Sequence, residues 1–105
     1  MVLEASAQTA GSWPHYYDSL TLFSPARYSA LPHTPFGGDA DRYPHRNEVV
    51  AYLAGVAERL DAEVRLNTRV ESMEADDGIF LVHTTEGAAL RAGGIVAATG
   101  AFANP

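Results

Sequence analysis

Apolar and polar residues alternate through much of the second half of the chain with the two-residue period that is typical of β-strands. The alternation predicts four short strands, at residues 63–66, 69–74, 79–84 and 89–91. Asp76-Asp77-Gly78 separates the second strand from the third, and Glu86-Gly87 separates the third from the fourth. Asp-Gly favours a hairpin turn because both residues accept positive φ at low cost. The last three strands are therefore predicted to form an antiparallel β-meander.

Two further apolar runs lack alternation and resemble strands that are buried on both faces. Val2-Leu3 is the first, and it stops at the acidic residue Glu4. Residues 95–98 are the second, a wholly apolar run between Gly93-Gly94 and Thr99-Gly100. Such runs are typical of parallel sheets, so the chain is predicted to contain parallel strands beside the meander.

A helical period follows Pro44. Val49, Leu53, Val56 and Leu60 recur at the three- and four-residue spacing that places side chains on one face of an α-helix. His45 or Asn47 is the predicted N-cap, with Glu48 in the first turn.

Residues 5–44 have no regular period, and they hold five of the six prolines together with most of the aromatic residues. Linkers are poor in aromatic side chains, so this stretch is predicted to be an ordered loop with short helical turns. Trp13, Tyr16 and Tyr17 allow two interpretations: they cap the sheet, or they form a pocket for a flat heteroaromatic ring.

Composition narrows the functional classes. The chain has 105 residues, enough for one small domain, and its net charge is -6, with all seven basic residues arginine. An acidic chain without a basic stripe is a poor ligand for nucleic acid or anionic membranes. Cysteine is absent, which excludes disulfides and thiolate sites within these residues and is compatible with the cytoplasm. The chain contains no apolar run long enough to span a bilayer, and its first residues lack the features of a signal peptide.

Glu4 is the first candidate binding residue. In dinucleotide-binding folds, a carboxylate at the end of a strand accepts hydrogen bonds from the ribose hydroxyls of the adenosine half; the alternative is a solvated glutamate near the chain terminus. The glycine-rich motif G-x-G-x-x-G that holds the pyrophosphate is absent, and Gly37-Gly38 does not replace it. The four histidines have no metal-ligand spacing, so no metal site is predicted.

Several motifs together resemble the flavin-containing monooxygenase-like group of FAD-dependent, NADPH-using oxidoreductases. These motifs are Val2-Leu3-Glu4-Ala5-Ser6, Gly11-Ser12-Trp13, Tyr16-Tyr17-Asp18-Ser19-Leu20, Ser24-Pro25, Leu31-Pro32, Tyr43-Pro44, Ala98-Thr99-Gly100 and Asn104-Pro105. The resemblance implies an α/β fold, namely a partial FAD-binding Rossmann-type domain with a three-stranded antiparallel meander. This domain would fill residues 1–105, from the second strand of the family fold to the Ala-Thr-Gly strand, and would lack the first strand and its glycine loop.

The resemblance also implies seven cofactor-binding residues: Glu4 at the adenosine ribose, Gly11, Ser12 and Trp13 along the flavin side, the backbone of Val70 at the adenine edge, and Thr99 and Gly100 near the turn toward the NADPH domain. It identifies no catalytic residue. It further implies that the chain is an internal piece of a larger oxidoreductase that acts on a small molecule.

Two other functions stay open. One is a pyridine-nucleotide reductase of the thioredoxin or ferredoxin reductase type, although its dithiol form needs a cysteine pair that these residues lack. The other is a non-enzymatic β-rich module that associates with itself through an unpaired strand edge. We predict that the chain alone is inactive and self-associates. We also predict that it binds FAD weakly or not at all, because it has no glycine loop and its net charge opposes an anionic pyrophosphate.

Overall fold

A computed structural model describes residues 1–100 of the chain, which form two compact units. One unit joins Met1–Ala7 to the chain from Glu63 onward, and the other consists of Gln8–Ala62. The first unit therefore contains both ends of the described chain, and the second unit is inserted in its sequence.

The first unit contains a parallel strand pair. Strand β1 (Val2–Leu3) pairs with β2 (Val64–Arg65), with Val2 opposite Val64. The backbone amide of Glu4 extends the pairing by donating to the carbonyl of Arg65 at 2.9 Å. This pair confirms both the strand at the start of the chain and the prediction of parallel strands. Val2 nevertheless stays 43% exposed, because β2 is the only strand among residues 1–100 that pairs with β1.

The same unit contains the predicted meander. Strands β3 (Val70–Asp76), β4 (Ile79–Thr84) and β5 (Ala89–Ala92) pair in that order, and both pairs are antiparallel. Asp77 and Gly78 connect β3 to β4 with φ of 51° and 79°, which is the two-residue turn that matches the twist of a hairpin. Val82 and Thr84 of β4 are the buried residues of this sheet, whereas every residue of β3 is exposed.

Residues 95–98 contradict the prediction of a buried strand. The structure assigns no strand there, and Val96 is 91% exposed. A strand exists only through hydrogen bonds to a neighbour, and no strand of residues 1–100 pairs with this segment. The motif Ala98-Thr99-Gly100 is therefore coil rather than the end of a strand, and Asn104-Pro105 lies outside the described residues.

The second unit is mostly loop, as predicted for residues 5–44. It contains a 3₁₀ helix at Trp13–His15, a short helix α1 (Ala26–Ser29) and the long helix α2 (Arg46–Glu58). Residues 20–27 run antiparallel to residues 40–46, with hydrogen bonds such as that from Leu22 N to Pro44 O at 2.8 Å. Four side chains are buried in this unit: Ala10, Ala26, Pro44 and Val49.

Helix α2 begins as its sequence indicates. His45 is the N-cap residue, and its Nδ1 accepts a hydrogen bond from the backbone amide of Asn47 at 3.1 Å. Glu48 completes the capping box, because its Oε1 accepts from the backbone amide of His45 at 3.5 Å. The helix ends at Glu58, which leaves Leu60 of the predicted apolar stripe outside the helix and exposed.

Candidate functional site

Glu4 lies one residue beyond β1, at the carboxyl edge of the parallel pair. Its carboxylate Oε1 accepts a hydrogen bond from the backbone amide of Ser6 at 2.8 Å, and its carbonyl accepts from the amide of Thr68 at 2.9 Å. The side chain is half-buried. The carboxyl edge of parallel strands is where α/β folds bind their ligands, so Glu4 has the position of a ligand-binding acid and lies in an ordered segment.

Val70 belongs to the same part of the first unit. The segment that leads into β3 lies beside the segment after β1, and Asn67 N donates to Ser6 O at 2.8 Å. Val70 begins β3 directly after this contact and is 39% exposed. Hydrogen bonds thus join the segment after β1 to the segment that leads into β3, and the assignment of Glu4 and Val70 to an adenosine site stays a prediction.

Thr99 and Gly100 follow β5 as exposed coil, and Gly100 has a φ of 76°. No hydrogen bond within residues 1–100 joins either of them to Glu4 or Val70. Their assignment to the cofactor site stays a prediction.

Gly11, Ser12 and Trp13 belong to the second unit. Gly11 has a φ of 60°, a left-handed conformation that favours glycine. Ser12 is the N-cap residue of the 3₁₀ helix, which begins at Trp13. The Trp13 ring packs edge-on against Tyr16, with centroids 5.2 Å apart and planes at 69°. Gly11 therefore bends the chain directly before an ordered aromatic pair.

Arg46 is a residue that the sequence analysis missed. It lies at the first position of α2, and its guanidinium donates to the carbonyls of Tyr16 at 2.6 Å and Pro14 at 3.3 Å. It also pairs with Asp18 at 3.1 Å. The sequence contained one indication of this role. The helix dipole disfavours a cation in the first turn, so an arginine at this position indicates that its side chain makes other contacts.

Two ion pairs shift pKa values. The hydrogen bond from Arg42 lowers the pKa of Glu48, and the same bond raises the pKa of Arg42. In the first unit, the hydrogen bond from Arg65 lowers the pKa of Glu63. Both acids are thus held ionised by an arginine partner, which is a structural pairing and offers no general acid.

No group of three potential metal ligands lies close together among residues 1–100. A depression in the second unit, beside Phe36 and Gly37, has a volume of about 140 Å³. Sites for drug-sized ligands measure about 300–1,000 Å³, so this depression is too small for a flavin. No helix of the described residues is long and apolar enough to cross a membrane.

The fit to FAD is therefore partial. In the first unit, Glu4 has a carboxylate of the kind that binds ribose hydroxyls. In the second unit, taken by itself, Trp13 and Tyr16 form an aromatic pair. No glycine-rich turn between a strand and a helix exists within residues 1–100 to hold the pyrophosphate.

Known proteins with similar sequences and structures agree with this description. The sequence profile of the family described as "Pyridine nucleotide-disulphide oxidoreductase" matches residues 1–105. An uncharacterized CzcO-like oxidoreductase of Geobacillus kaustophilus is 40% identical over 93 residues, which are 89% of this chain and 26% of that protein. Indole-3-pyruvate monooxygenase YUCCA1 of rice (Oryza sativa subsp. japonica) is 36% identical over 107 residues, covering 99% of this chain and 26% of that enzyme.

Among solved structures, a flavin-containing monooxygenase from Stenotrophomonas maltophilia superimposes with a TM-score of 0.86 at 33% identity. The superposition covers 94% of this chain and 30% of that one. The α/β fold class and the resemblance to flavin monooxygenases are thereby confirmed. The chain spans about a quarter of the length of the curated relatives that it matches.

Proposed function

This chain belongs to the pyridine nucleotide-disulphide oxidoreductase family, and we propose that it forms part of the FAD-binding region of an NADPH-using monooxygenase with a small-molecule substrate. The observation that carries the proposal is the position of Glu4 at the carboxyl edge of the β1–β2 pair, hydrogen-bonded to the segment that leads into β3. The monooxygenases among its relatives support the reaction class.

The chain's own residues would divide the work of binding. The Glu4 carboxylate would accept hydrogen bonds from the two ribose hydroxyls of the adenosine half, with the backbone of Val70 at the adenine edge. Gly11, Ser12 and Trp13 would lie along the flavin half, and Thr99 and Gly100 would lie near the cofactor where the chain continues. When bound, FAD supplies the redox chemistry, whereas the protein orients it and excludes water.

A second function deserves a test because the family description names disulphide oxidoreductases. The dithiol form of such a reductase needs a cysteine pair, and none occurs in these 105 residues. Oxygen uptake with NADPH by the protein expressed from its natural gene would support the monooxygenase, and disulfide reduction without oxygen uptake would support the reductase. We also propose a cytoplasmic location, which cell fractionation would test.

The binding proposal is tested by titrating FAD into the 105-residue chain and following flavin fluorescence. We expect a dissociation constant weaker than about 1 μM, a threshold that corresponds to about 8 kcal/mol of binding free energy. Glu4→Gln should weaken binding by about tenfold, because a charge-assisted hydrogen bond contributes about 1.5–3 kcal/mol. Glu58→Gln, which removes an exposed carboxylate from the end of α2, should leave the affinity unchanged.

Two results would contradict this account. Equal affinities for Glu4→Gln and Glu58→Gln would remove Glu4 from the cofactor site. Stoichiometric, submicromolar binding by the wild-type chain would mean that residues 1–105 contain a phosphate site after all.

A further inference from the structure

The Arg46 side chain is largely buried and makes several polar contacts at once. Its side chain is 16% exposed. Nη1 donates to the carbonyls of Tyr16 and Pro14, Nη2 pairs with Asp18, and both Nε and Nη2 donate to the Asn47 side-chain oxygen, at 3.1 and 2.9 Å. The planar guanidinium fork thus holds four acceptors from two separate segments of the second unit.

The shortest of these contacts is the one to the carbonyl of Tyr16, at 2.6 Å. The carboxylate of Asp18 is 98% exposed, so water and salt screen its pairing with Arg46. The carbonyls of Pro14 and Tyr16 lie at the last turn and the C-cap of the 3₁₀ helix, where backbone acceptors have no partner within the helix. Arg46 satisfies them from another element, and a cation is the favourable charge at that end of a helix.

These contacts fix the aromatic pair described above. Trp13 begins the 3₁₀ helix and Tyr16 is its C-cap residue, and their rings meet edge-to-face across one turn. Because Arg46 holds the backbone on both sides of His15, loss of its guanidinium would free the turn that sets the angle between the two rings. Helix α2 would lose little, since the positive charge of Arg46 opposes its dipole.

We propose that Arg46 is a positioning residue, which orders the Trp13–Tyr16 pair from the start of α2 and thereby shapes the surface that receives the flavin half of the cofactor. The part that concerns the flavin rests on the proposed function, whereas the ordering of the aromatic pair does not. Tryptophan fluorescence measures the ordering of the pair, and FAD titration separately measures its role at the cofactor.

Trp13 is the one tryptophan of the chain, so its intrinsic fluorescence reports on this turn alone. Acrylamide quenching and the emission maximum are measured for the wild-type chain and for Arg46→Met, without cofactor. We expect roughly twofold stronger quenching and a red-shifted emission for Arg46→Met, with the helical circular dichroism of α2 retained, because the nonpolar side chain keeps the packing volume and loses every donor.

Arg46→Lys is the second variant, which keeps the charge and the helical propensity. A lysine ammonium is a point charge and cannot reproduce the guanidinium fork, so quenching should again rise, by less than in Arg46→Met. Arg59→Met is the matched control. Arg59 is the exposed C-cap residue of α2, at the end of the helix opposite Arg46, so the substitution removes the same charge without touching the first turn. It should leave Trp13 quenching unchanged.

A titration with FAD on the same variants tests the functional part. Arg46→Met should weaken FAD binding at least about threefold, while Arg59→Met should not. Unchanged Trp13 quenching in both Arg46 variants would overturn the proposal whether or not FAD binds. Increased quenching with no effect on FAD affinity would retain the ordering of the turn and reject its role in the cofactor site.

Discussion

The Arg42 guanidinium lies 2.5 Å from Glu48 Oε2, and the same carboxylate accepts the backbone amide of His45 through its other oxygen. Glu48 therefore contacts the loop before α2 through Arg42 and the N-cap of the helix through the amide of His45. Arg42 extends the connection, because its Nη1 also donates to the carbonyls of Gly37 and Asp39. The start of α2 is thus tied to the loop by ionised groups, and its stability should depend on pH.

We expect the chain to lose stability in acid partly through Glu48. Its pKa lies below the ordinary value of 4.5 in the folded chain, mainly because Arg42 donates a hydrogen bond to it. A lowered folded pKa stabilises the fold above the unfolded pKa, and this stabilisation is lost as the pH falls through the folded value. Thermal unfolding between pH 7 and pH 2 should therefore show a shallower acid loss for Glu48→Gln. A profile identical to that of the wild-type chain would contradict this assignment.

Replacement of Gly11 and of Gly55 by alanine should change the free energy of unfolding in opposite directions. An added Cβ at Gly11 meets nothing within 4 Å, so the cost comes only from its φ of 60°. We expect Gly11→Ala to lower the free energy of unfolding by about 1 kcal/mol. Gly55 lies inside α2, and its Cβ would meet only the mobile end of Arg59 at 3.3 Å. Gly55→Ala should raise the free energy of unfolding by about 0.5–1 kcal/mol through helix propensity. Urea denaturation measures both, and equal signs would refute the explanation.

Tyr52 should stabilise the loop before α2 through its hydroxyl. That hydroxyl accepts from Leu31 N at 2.9 Å and donates to Thr34 O, while the ring stacks on Phe36 with centroids 4.1 Å apart. Tyr52→Phe keeps the stack and removes both hydrogen bonds, so we expect a loss of about 1 kcal/mol. Tyr43→Phe, at a largely exposed ring, is the control and should have no measurable effect in the same denaturation experiment.

The unpaired edge of β1 should promote association between copies of the chain. An open strand edge pairs readily with another strand, and among residues 1–100 only β2 pairs with β1. We expect a concentration-dependent rise in mass by light scattering, and Val2→Lys should reduce it by adding a charge to the edge. Val96→Lys adds the same charge to an exposed coil and should not. A monomer at all concentrations would disprove the prediction.

The sequence predicted the elements whose signals are local. The Asp77-Gly78 turn, the alternation in β4 and the N-cap of α2 each lie within a few residues. The turn and the strand were confirmed, and His45 proved to be the N-cap of the two candidates. The prediction of a strand at residues 95–98 was wrong because a strand depends on a partner, and no local pattern reveals whether a partner strand exists. Arg46 was missed for a related reason, since its contact with Tyr16 spans 30 residues. The position of Glu4 after a strand could be predicted because the end of a strand is itself a local feature, and its role at a cofactor stays a prediction.

The insertion of the second unit into the first has a consequence for the order of folding. Leu3 must pair with Arg65, and the ribosome synthesises all of Gln8–Ala62 between them. The hairpin of β3 and β4 closes over two residues and can form within microseconds, whereas closing a long loop costs more chain entropy. Strand β1 therefore emerges before the second unit and pairs after it. The edge that carries Glu4 is assembled only after the second unit has left the ribosome.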